Sequence, residues 1–164
     1  MKSRLATSKD AEAISRIYNV GIDERLATYE TQHRTAEDIR DWFDGKHPVV
    51  VVENDAGDVV AFASTLSYRP RECYDGIGEY SVYVDNSARG QGVGKLTMQA
   101  LIDAVRDAGY WKLVSRIFPE NTASLSLMKS LGFREVGLYE KHSKLDGVWR
   151  DVVIVELLIE ENLD

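Results

Sequence analysis

The chain has 164 residues, 44% of them hydrophobic and 29% charged, with a net charge of −7. This is the balance of a soluble globular chain expected to form one domain over 1–164, and its acidity argues against nucleic acid as a partner. A lone cysteine, Cys73, excludes an internal disulfide, three histidines without ligand spacing give no metal site, and no apolar run reaches the roughly 18 residues of a membrane span.

The start, Met1-Lys2-Ser3-Arg4, lacks the apolar core of a signal peptide, so a cytoplasmic protein is expected. Arg4 to Ala6 reads as a short strand. Thr7 or Ser8 then caps a helix to about Asp23, with Ala11, Ile14, Ile17 and Tyr18 at helical spacing. Thr35-Ala36-Glu37-Asp38 has the pattern of a capping box and predicts a second helix through Trp42 and Phe43. Between the helices, 25–34 is polar with Leu26 and Tyr29 interleaved, a loop long enough to suggest function.

Pro48 to Glu53 predicts a buried strand, Asn54 to Gly57 a turn, and Val59 to Ser67 the returning strand. A polar connection over 68–78 leads to a strand at 79–84. Arg89-Gly90-Gln91-Gly92-Val93-Gly94 then opens a helix from Val93 to Ala108. Trp111 to Phe118 is a further strand, and Asn121 caps a short helix to Leu131, stopped by Gly132. Phe133 to Leu145 and Trp149 to Ile159 form a hairpin through Asp146-Gly147. The mixture of hairpins and helical crossovers predicts an α+β fold: a single mixed, mostly antiparallel sheet of about seven strands, flanked by about four helices.

The glycine turn carries the most chemistry. Glycines between a strand and a helix start leave backbone N–H groups open to an anion, and the helix dipole and Arg89 add positive charge. A tight turn that needs glycine only for sterics would look similar. Lys95 is followed by Leu96 instead of Ser or Thr, which excludes a Walker P-loop. A dinucleotide turn normally follows the first strand of a βαβ chain; this one follows the fourth.

Arg89-x-x-Gly92-x-Gly94 after a strand resembles the acetyl-CoA pyrophosphate loop of the GNAT N-acetyltransferase superfamily. The segment Asn121-Thr122-Ala123-Ser124 through Leu131-Gly132-Phe133 is similar to that superfamily's Asn-x-x-Ala/Ser…Leu-Gly-Phe block. A narrower resemblance, to the phosphinothricin and methionine sulfoximine acetyltransferases, rests on Ile17-Tyr18-Asn19, Ala27-Thr28-Tyr29-Glu30, Arg71-x-x-Tyr74, Glu79-x-Ser81-Val82-Tyr83-Val84 and Gly147-x-Trp149-x-Asp151. It implies acetyl transfer from acetyl-CoA to the α-amine of a small amino acid or analogue, without metal, membrane or nucleic acid, by a homodimer. Another amine (a protein N-terminus, a polyamine, an antibiotic) or a non-catalytic CoA sensor are the alternatives.

The resemblance also implies site residues. The donor would be held by Val82, Tyr83 and Val84 through their main chain, by Arg89, Gly90, Gln91, Gly92, Val93 and Gly94, and by Asn121 and Ser130. Glu79 would be the general base, with partial burial raising its pKa toward a useful range. Arg71 would grip a carboxylate or phosphinate, and Tyr29 and Tyr74 would wall the acceptor pocket. Three departures stand out: Met128 replaces a tyrosine general acid found in many members, Ile77-Gly78 replaces a usual Thr-Val, and Leu26 replaces a usual threonine.

Overall fold

In the computed structural model, which describes residues 1–164, the strands are β1 (Lys2–Leu5), β2 (Val49–Glu53), β3 (Val59–Ser67), β4 (Ile77–Val84), β5 (Lys112–Ile117), β6 (Arg134–Leu145) and β7 (Val148–Leu158). The helices are α1 (Ala11–Asp23), α2 (Ala36–Arg40), α3 (Val93–Asp107) and α4 (Thr122–Ser130). The strands make one seven-stranded sheet in the order β1-β2-β3-β4-β5-β7-β6. Every neighbouring pair is antiparallel except β4 and β5. This is the mixed, mostly antiparallel sheet expected from the element order.

Side-chain alternation divides the core between the two faces of the sheet. Val49, Val51, Phe62 and Tyr83 pack with Ile14 and Ile17 of α1 and Ile39 of α2. Val50, Ala63, Tyr80 and Leu113 pack with Met98, Leu101 and Val105 of α3 and Met128 of α4. Burial on both faces explains why β2 reads as an unbroken valine run.

Several boundaries differ from the sequence reading. Ser8–Asp10 forms a 3-10 turn, so α1 begins at Ala11. The Asp10 carboxylate accepts from the Thr7 N–H at 2.8 Å and is clamped by Arg4 at 2.8 and 2.9 Å. The Thr35–Asp38 capping box forms as expected, at 2.8 and 3.2 Å. Yet α2 stops at Arg40, because the amides of Trp42 and Phe43 bond to carbonyls three residues back. That tightening turns the Trp42 ring edge-on to Tyr18 at 5.8 Å. β4 starts two residues early, at Ile77. The β6–β7 turn has positive φ at both Asp146 (49°) and Gly147 (79°), the conformation of a two-residue primed hairpin turn.

Candidate functional site

β4 and β5 part company within the sheet. Their register runs Ile77–Lys112, Gly78–Leu113, Glu79–Val114 and then ends, while β4 continues along β3 and β5 along β7. Just past the last registered pair, the Ser115 hydroxyl donates to the Tyr80 carbonyl at 3.0 Å. That carbonyl therefore points toward β5, whereas the Asp85 N–H points to β3, where it meets the Val60 carbonyl at 2.8 Å. Backbone groups alternate along a strand, so the N–H groups of Val82 and Val84 face the gap.

The glycine loop closes one end of this gap. Gly90 and Gly92 have φ of 73° and 78°, a region that costs any residue with a Cβ, and Gly92 is the residue before α3. The loop is pinned by Asp85, which accepts from the Ser87 N–H at 2.9 Å and its hydroxyl at 2.7 Å and pairs with Arg16. The Ser87 contacts, followed by Arg16, hold the Asp85 carboxyl down at about 2. Arg89 donates to both Glu24 carboxylate oxygens, at 2.9 and 3.0 Å, and through Nε to the Val84 carbonyl at 3.1 Å. A cleft of about 320 Å³ runs from this loop, past Val82–Val84, to Asn121, Ser124 and Leu127 of the α4 region. Asn121 caps α4, its side-chain oxygen Oδ1 accepting from the Ser124 N–H at 3.3 Å.

A second cavity of about 260 Å³ joins the cleft through Ala27, Val82, Tyr83, Asn121 and Ser124. Its walls are Ala27–Glu30, the start of the β4 split and Ser115–Phe118. Glu79 and Ser81 line it from the face of β4 that also carries the buried Tyr83 ring. The Glu79 carboxylate lies 3.2 Å from the Arg116 guanidinium. Both residues also border a third cavity, of about 460 Å³, with Tyr68, Arg69, Tyr74, Lys112 and His142.

Most of the expected residues converge here. Val82, Val84, Arg89, Gly90, Gly92, Val93, Gly94 and Asn121 line the first cleft, and Tyr83 reaches both it and the second cavity. Burial pushes the Tyr83 hydroxyl well above the ordinary phenol range, keeping it neutral. Tyr29 lines the second cavity, its hydroxyl donating to the Arg150 carbonyl at 3.2 Å and its ring edge-on to Phe118 at 4.9 Å. Tyr74 lines the third, edge-on to Tyr68 at 5.7 Å.

Four residues lie elsewhere. Gln91 turns back to donate to the Ser87 carbonyl at 3.1 Å. Ser130 is exposed on the last turn of α4, its hydroxyl donating to the Leu127 carbonyl at 2.7 Å, so it lies outside the cleft. Arg71 is exposed on the 68–76 connection and borders none of the three cavities, whereas Arg69 borders the third. Met128 is fully buried in the α3–α4 core, away from all three. Sequence reasoning missed Ser115, Arg116, Arg69 and Glu24. The first two were legible as polar residues interrupting an apolar strand; the others are surface side chains whose meaning depends on their neighbours. No group of three or more His, Cys, Asp or Glu residues could hold a metal ion, and no helix is long and apolar enough to cross a membrane.

Residues 14–133 match the family described as the acetyltransferase (GNAT) family. The L-methionine sulfoximine/L-methionine sulfone acetyltransferase of Pseudomonas aeruginosa is 33% identical over 159 residues, covering 94% of this chain and 90% of the relative. Among solved structures, a ribosomal-protein-alanine N-acetyltransferase from Brucella melitensis superposes with a TM-score of 0.91 at 31% identity, covering 97% of this chain and 100% of its own. A phosphinothricin acetyltransferase from Sinorhizobium meliloti in complex with AcCoA gives 0.88 at 26% identity, covering 96% and 87%.

Proposed function

Because this chain belongs to the acetyltransferase (GNAT) family and is an acetyl-CoA-dependent N-acetyltransferase, we propose that its acceptor is the α-amine of a small amino acid or analogue, acetylated by direct attack. The observation that carries this reading is the position of Glu79. It stands at the last registered pair of β4 and β5, next to the cavity that the Val82 N–H faces, and it borders the cavity that holds Arg69.

The first cleft fits the donor. Left-handed glycines and the start of α3 present N–H groups to a pyrophosphate, and the parted strands leave backbone donors for an extended arm. Bound acetyl-CoA supplies a thioester-activated acetyl group. The chain's own residues then have two tasks. A free α-amine is mostly protonated at neutral pH and has no lone pair to attack with; Glu79 is placed to take that proton, directly or through water. In this reading the Val82 N–H, which faces the gap, donates to the acetyl oxygen as negative charge builds there during attack.

Acceptor recognition falls to the third cavity. Arg69 carries no ion pair and can offer its fork to a carboxylate or phosphinate, while Tyr74 and Tyr29 wall the approach to Glu79. Met128 is buried and has no proton to give, so acid assistance from that position is not part of the proposal. Cys73, exposed and outside the cavities, takes no covalent part.

The relatives point to different acceptors, amino-acid analogues in one and a protein alanine in another. The small second cavity, of about 260 Å³ and walled on one side by Ala27–Glu30, supports a small molecule reaching Glu79 over a chain terminus. The homodimer is also proposed: edge strand β6 leaves Val136, Leu138 and Tyr139 about half exposed. A thiol-release assay over amino acids, methionine sulfoximine, phosphinothricin, polyamines and an alanine-terminated peptide tests the acceptor. Preference for the peptide or a polyamine overturns it.

A further inference from the structure

Both recognition edges of Arg89 are engaged from within the protein. Nη1 and Nη2 donate to the two oxygens of Glu24 at 2.9 and 3.0 Å, and Nε donates to the Val84 carbonyl at 3.1 Å. A guanidinium grips a phosphate with the same planar fork it uses for a carboxylate. Its end-on edge is therefore filled by Glu24, and its side edge has one of two donors committed. A phosphate gains two-point contact with Arg89 only by displacing one of these partners. The Val84 carbonyl is fixed in a strand; the Glu24 carboxylate is a side chain, 35% exposed, that can turn to water.

The setting of Glu24 supports a role beyond local stability. It caps the C-terminus of α1, a helix with no basic residue in its last turn. An acidic group there opposes the helix dipole and so works against α1. Glu24 is also the sole acidic residue lining the first cleft, and Arg89 the sole basic one.

We propose that Glu24 is an internal competitor for the donor's pyrophosphate. It holds Arg89 when the cleft carries no phosphate and surrenders it on binding. Binding of acetyl-CoA and of product CoA is thereby loosened, and release of CoA is hastened. Glu24 is a positioning residue that acts through Arg89, and the inference rests on the acetyl-CoA reading of the cleft.

The test is calorimetric titration of CoA into the full chain and into Glu24→Gln, Arg89→Ala and the double variant, with CoA release followed by stopped flow. Glu24→Gln should bind CoA about threefold to fivefold tighter, the span of a half-exposed ion pair, with release slowed by a similar factor. In the Arg89→Ala background the same substitution should change affinity by less than about 1.5-fold. Unchanged or weaker binding by Glu24→Gln overturns the competition. So does an equal gain without Arg89, which would mean long-range charge alone. Wild-type protein that binds no CoA overturns the donor reading itself, a result distinct from either.

Discussion

The Glu79 carboxylate lies 3.2 Å from the Arg116 guanidinium, at the last point where β4 and β5 are still in register. Arg116 therefore fixes which way the proposed base faces, and the pair forms the partition between the second and third cavities. Glu79→Gln keeps the shape and removes the proton acceptor. Turnover should fall about 100-fold at neutral pH, with part of the loss recovered at alkaline pH as free amine accumulates. The acetyl-CoA KM should hold. A pH–rate profile unchanged from wild type removes Glu79 as the base.

Arg69 and Arg71 separate two views of acceptor recognition. Arg69 borders the third cavity and Arg71 does not. Arg69→Ala should raise the amino-acid KM about tenfold, the loss of one charge-assisted contact, and leave the acetyl-CoA KM alone. Arg71→Ala should stay within about twofold. The reverse ranking returns the carboxylate to Arg71.

Gly92 has open space around an added Cβ but a φ of 78°. Gly92→Ala is therefore a test of backbone strain without a clash. A stability loss of about 1 kcal/mol is expected, and CoA binding about fivefold to tenfold weaker as the loop relaxes. Thermal unfolding and calorimetry measure the two effects. Wild-type CoA affinity in a destabilised variant would mean that the loop does not carry the pyrophosphate.

Asp85 ties the same loop down until it is protonated in acid. Its folded pKa, about 2, lies below the roughly 3.9 of an unfolded aspartate. The stabilisation is therefore complete above about pH 4 and is lost as pH falls toward 2. After solvent screening it is worth about 1 kcal/mol. Asp85→Asn should flatten the acid limb of the stability curve by that amount in urea unfolding. An unchanged acid limb would show that the contacts with Ser87 and Arg16 add nothing.

Local signals carried well from the sequence into the fold. The Thr35–Asp38 capping box, the Asp146-Gly147 turn and the valine run of β2 each follow from chemistry within a few residues. The proposed site was legible in its backbone elements, the glycine loop as a turn and β4 as a strand. It was least legible where side chains converge from distant segments. Arg116 meets Glu79 across 37 residues and Glu24 meets Arg89 across 65. No periodicity encodes such meetings; the first depends on the parallel crossover through α3, the second on the packing of α1 against β4. Arg71, the motif's candidate for the acceptor carboxylate, lies outside the third cavity, which its sequence neighbours Arg69 and Tyr74 border.

The parting of β4 from β5 has a consequence for exchange with solvent. The Tyr83 amide is directed to β3 and the Val82 amide to the gap, so two adjacent hydrogens in one rigid strand should trade with deuterium at very different rates. A fast amide inside a slow strand is the signature of an opening built permanently into the sheet, one that needs no lid to move before a ligand can occupy it.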